Sequence, residues 1–116
     1  MKHPLLRMVI VAVSLASAVA MAGFSGCATT RASLPTAEEL SAAGTLPGGA
    51  NTDALRRGRA IFVTECAACH RLYLPGEYSA EQWRGIIPRM ARRASLSADQ
   101  TADLDLYLSV ASRIRK

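Results

Sequence analysis

ECAACH, residues 65–70, holds two of the chain's three cysteines and one of its two histidines. Cys66 and Cys69 stand at i and i+3, so a helical turn projects both thiols from one side, with His70 directly behind. Three chemistries compete for such a cluster. A redox dithiol of the C-x-x-C kind sits at a strand-to-helix turn, and no segment of this chain alternates like a strand. A structural zinc site needs four ligands, and only three lie close together here. A plain disulfide would close a very small loop and leave His70 unexplained. Covalent haem uses all three residues: each thiol can add across one haem vinyl group, and the His70 Nε2 can bind iron.

Outward from that cluster, the N-terminus reads as an export leader over residues 1–26. Lys2 and Arg7 form a short positive region, and MVIVAVSLASAVAMAGF, residues 8–24, carries no charge. Phe24-Ser25-Gly26-Cys27 resembles a bacterial lipobox, with Phe24 where an aliphatic residue is usual, and this makes Cys27 a lipidation site. Ala28 after it is compatible with onward transport to an outer membrane. Cleavage after Ala20-Met21-Ala22, or retention of the leader as an anchor, are the competing readings. In each case the domain works outside the cytoplasm, on the periplasmic side of a bacterial membrane or soluble in the periplasm. Without Lys2 and Arg7 the net charge of +5 falls to +3, and eleven of the remaining cations are arginine. That balance suits an acidic partner or acidic cofactor groups, and nothing interleaves aromatic and basic residues as a nucleic-acid binder would.

Residues 27–51, rich in Ala, Thr, Ser, Gly and Pro, read as a flexible tether with one short helical turn near 38–42. The packed domain is expected over 52–116. It is too small to bury much surface unaided, so a cofactor would help it fold. A first helix is expected from Thr52 or Asp53 to near Cys66, with Leu55, Gly58, Phe62 and Cys66 on one stripe. A second starts at the capping box Ser79…Gln82 and should break or kink at Pro88. A third starts at the capping box Ser97…Gln100, with Leu104, Tyr107, Leu108 and Ala111 as its apolar stripe.

Together these residues resemble the small single-haem c-type cytochrome domains, in particular those that serve as electron-transfer subunits of bacterial periplasmic dehydrogenases. The likeness rests on Gly58 and Phe62, CAACHRLYLPGEY at 66–78, WRGIIPRM at 83–90 and LSADQ…LYL at 96–108. It implies an all-α fold of three to four helices around one covalent haem. It also implies that Gly58 and Phe62 meet Tyr107 and Leu108 where the first and last helices cross, and that the Pro75 carbonyl receives the His70 Nδ1–H.

With the leader removed, His70 is the remaining histidine and Met90 the remaining methionine, so Met90 is the candidate second iron ligand. Tyr78, Trp83, Arg84, Arg89, Arg92 and Arg93 are candidate donors to the haem propionates. The expected function is electron transfer between redox partner proteins, with iron cycling between Fe(III) and Fe(II), no catalysis, and a lipid at Cys27 holding the domain to the membrane. The alternative is an open iron site in a gas or peroxide sensor or a small haem enzyme, which requires that Met90 not ligate.

Overall fold

The computed structural model describes residues 30–114, with 45 and 49 excepted. The chain divides into two units, 1–32 and 33–116. Of the first unit only Thr30, Arg31 and Ala32 are described, and they form a helical turn. The expected leader and the proposed lipidation site Cys27 lie outside the described residues. No helix among the described residues is long and apolar enough to cross a membrane.

The second unit is all-helical: α1 (Ala37–Ala42), α2 (Thr52–Thr64), α3 (Ala80–Arg93) and α4 (Ala98–Ala111). Single 3₁₀ turns at Cys66–Ala68 and Pro75–Glu77 lie in the connection between α2 and α3. No strand occurs among the described residues. This all-helical arrangement is compatible with a small cytochrome c fold.

Local chemistry accounts for the helix starts. The Asn51 side chain accepts from the Ala54 N–H at 2.8 Å and opens α2. Ser79 with Gln82 and Ser97 with Gln100 form the two expected capping boxes, opening α3 and α4. Pro88 does not end α3, which runs on through it to Arg93. Proline removes one backbone donor, and Pro88 is on the exposed side, where water can meet the carbonyl left without a partner.

The core forms chiefly where α2 crosses α4 and α3 packs on α4. Leu55 and Phe62 from α2, Trp83 and Ile87 from α3, and Leu104, Tyr107, Leu108 and Val110 from α4 are all buried. Gly58 sits at the α2–α4 crossing: a Cβ there would clash with the Asp103 carbonyl oxygen and lie 2.8 Å from the Tyr107 Cβ. The close approach inferred for Gly58 is therefore present, and Phe62 meets Tyr107 with ring centroids 6.0 Å apart.

The tether expectation needs correction from residue 33 onward. Leu34, Ala37 and Leu40 are buried in the same core, and α1 packs on α2 and α4. A capping box between Thr36 and Glu39 opens α1. The Pro35 carbonyl just before it accepts from Tyr107 Oη at 3.0 Å and from Arg59 Nε at 3.2 Å. Burial of three apolar side chains holds a segment whose composition alone suggests a tether.

Candidate functional site

The CAACH stretch leaves the end of α2. Glu65 is the C-cap of that helix, and the chain tightens into the 3₁₀ turn Cys66–Ala68. Cys66 is half-buried, while Cys69 and His70 are exposed. The two cysteines are not bonded to each other. Burial first, and the neighbouring Glu65 carboxylate second, push the Cys66 thiol up to about 11. A redox dithiol needs the opposite, a thiol whose pKa is lowered towards the thiolate.

These residues open onto a cavity of about 490 Å³. Cys66, Cys69 and His70 line one side; Ile86, Arg89, Met90 and Arg93 of α3 line another; Tyr73, Tyr78, Trp83 and Phe62 form an aromatic wall. Four residues that the sequence reading assigned to iron or thioether bonds thus share one cavity, although Met90 is 20 positions beyond His70. The volume falls within the roughly 300–1,000 Å³ of small-molecule and cofactor pockets. Among the described residues, no three His, Cys, Asp or Glu side chains form a group able to hold a metal ion.

His70 Nδ1 lies 2.7 Å from the Arg71 carbonyl oxygen. A carbonyl only accepts, so in the neutral ring Nδ1 carries the proton and Nε2 keeps its lone pair for a ligand. The expected His70–Pro75 hydrogen bond is not present. The Pro75 carbonyl accepts instead from Trp83 Nε1 at 2.8 Å, in a buried bond that fastens the 3₁₀ turn to α3. Pro75 therefore shapes the loop from outside the cavity lining, and the Trp83 indole N–H is already used. Tyr78 does face the cavity, edge-on to Trp83 with centroids 5.0 Å apart.

The arginines separate by face. Arg89 and Arg93, four residues apart on α3, both line the cavity. Arg84 and Arg92 line a different groove, with Pro88 and Asp105, and are not among the residues lining this cavity. Helical geometry accounts for this: Arg84 is five residues before Arg89, about 140° around the helix, whereas Arg93 is one turn further on the same stripe. The α2 arginines are occupied elsewhere, Arg56 with Glu38 and Asp53, and Arg57 with Asp103.

Sequence reasoning missed one further feature, a clamp in the loop after His70. Arg71 donates to both Glu77 carboxylate oxygens, at 3.2 and 2.9 Å. Glu77 Oε1 also accepts the Leu74 N–H at 2.6 Å. These partners, Arg71 first, hold the Glu77 carboxyl below the usual carboxylate range. No helical spacing relates positions 71 and 77, so no periodic signal announces the pair.

Against known proteins, the chain is 33% identical over 51 residues to the cytochrome c-type protein TorY of Haemophilus influenzae. That similarity supports a cytochrome c-like domain. The match covers 44% of this chain but only 14% of that protein. No protein-family model matches the chain. No solved structure matches it.

Proposed function

We propose that this chain is a one-electron carrier of the c-type cytochrome kind, with one haem in the cavity between the CAACH turn and α3. The observation that carries the reading is that Cys66, Cys69, His70 and Met90 line the same cavity. The likeness to a cytochrome c-type protein supports it independently.

Cys66 and Cys69 would hold the haem through thioethers, and the His70 Nε2 and the Met90 sulfur would be its iron ligands. When bound, the haem supplies reversible Fe(III)/Fe(II) exchange, and a methionine ligand favours the reduced state. The chain's own residues control the surroundings. Phe62, Tyr73, Tyr78 and Trp83 exclude water from one wall. Arg89 and Arg93, which make no ion pair among the described residues, suit the propionate carboxylates. If His70 and Met90 both bind iron, they would leave substrate no route to the metal, which suits a protein that passes electrons between partner proteins. We place it on the periplasmic side of a bacterial membrane, tied there by a lipid on Cys27, with acidic redox partners.

Ligand binding to the purified, haem-loaded chain tests this. The ferric and ferrous forms should interconvert reversibly and resist immediate binding of cyanide or carbon monoxide. Rapid binding of either by the wild type would favour an open-iron sensor or enzyme.

A further inference from the structure

We propose that the Arg71–Glu77 pair is a positioning clamp that sets how strongly His70 binds the iron. This rests on the haem reading above and deepens it. His70 is exposed, and two contacts orient its ring: Nδ1 with the Arg71 carbonyl at 2.7 Å, and an edge contact with Tyr73 at 5.4 Å between centroids. Arg71 takes part in both, through its carbonyl at Nδ1 and through its side chain at Tyr73. Its guanidinium grips Glu77 through two hydrogen bonds and lies 4.0 Å from the centre of the same Tyr73 ring. Glu77 in turn takes the Leu74 N–H, so residues 71–77 close into a ring of side-chain and backbone bonds. Tyr73 thus touches the imidazole and the guanidinium together.

An exposed ion pair adds little to stability. Arg71 and Glu77 keep 63% and 34% of their side-chain surface exposed, so their use lies in geometry. A firm Nδ1–H···O=C bond makes an imidazole a more basic ligand. That stabilises Fe(III) and lowers the reduction potential. Releasing the clamp frees the Arg71 carbonyl, weakens the bond to Nδ1 and raises the potential.

The test separates this from simple charge effects. Midpoint potentials are measured on the full-length, haem-loaded wild type, Arg71→Gln and Glu77→Gln. Through-space electrostatics alone shifts the two variants in opposite directions, because one loses a cation and the other an anion. The clamp shifts both upward. Exchange of the His70 Nδ1 proton, followed by NMR in the ferrous protein, should be faster in both variants. The charge-swapped Arg71→Glu/Glu77→Arg protein should recover part of the wild-type potential and exchange rate. Opposite-signed shifts, or unchanged proton exchange, in variants that retain haem would overturn the clamp and leave the haem reading intact. A wild type that carries no haem would overturn both, and that failure is visible before any variant is compared.

Discussion

Gly58 on α2 sits against the Asp103 carbonyl of α4, with the carbonyl carbon 2.7 Å from where a Cβ would be. In an ordinary helix interior, glycine to alanine gains about 1 kcal/mol. Here the new methyl meets backbone, which cannot swing aside. Gly58→Ala should destabilise the domain by about 1–3 kcal/mol, the usual cost of overpacking. Urea unfolding checks this, and a stabilised variant would mean that the two helices do not cross so closely.

The packed segment 33–44 makes a second prediction. Leu40 is fully buried, so Leu40→Ala should cost about 2–5 kcal/mol. A chain beginning at Asn51 should lose more than one beginning at Ser33, because the longer one keeps Leu34, Ala37 and the Pro35 carbonyl that Tyr107 and Arg59 share. Equal melting temperatures for the two would contradict the core role of α1.

Tyr107 supplies a pH dependence. Burial pushes its phenol up to about 12, against an ordinary value of 10.0. The folded-state pKa is the higher one, so the stabilisation is present below pH 10 and is lost as pH rises from there towards 12. Tyr107→Phe should cost about 1 kcal/mol at neutral pH through the lost hydrogen bond. It should also lack this alkaline decline. Denaturant midpoints taken between pH 8 and 12 would show both effects.

Met90 separates the carrier from an open iron site. On the proposed ligation, Met90→Ala lowers the midpoint potential and abolishes the weak far-red absorption of a methionine sulfur on ferric iron. It also lets cyanide bind quickly. A variant indistinguishable from the wild type in spectrum and cyanide binding would remove Met90 from the iron.

The three long helices and the α2–α4 contact were legible because their signals are local: caps at Ser79 and Ser97, one apolar stripe on α4, and a glycine tolerable only at a close crossing. Segment 33–44 was hidden by its small and polar composition, although Thr36 and Glu39 spell a capping box. The cysteines, His70 and Met90 were chosen by chemistry, and the fold brings them to one cavity. The hydrogen-bond partners in the loop after His70 were not legible. Competition between Trp83 and His70 for the Pro75 carbonyl depends on where a loop folds back, as does the Arg71–Glu77 pair.

Haem attachment is the most direct measurement. The exported chain, produced with a haem-attachment system, is denatured and extracted with acidified acetone beside a Cys66→Ser/Cys69→Ser variant. With two thioethers, the colour stays on the wild-type polypeptide and leaves the variant. Haem that extracts from the wild type, or a wild-type chain that never acquires any, would contradict a covalently bound haem.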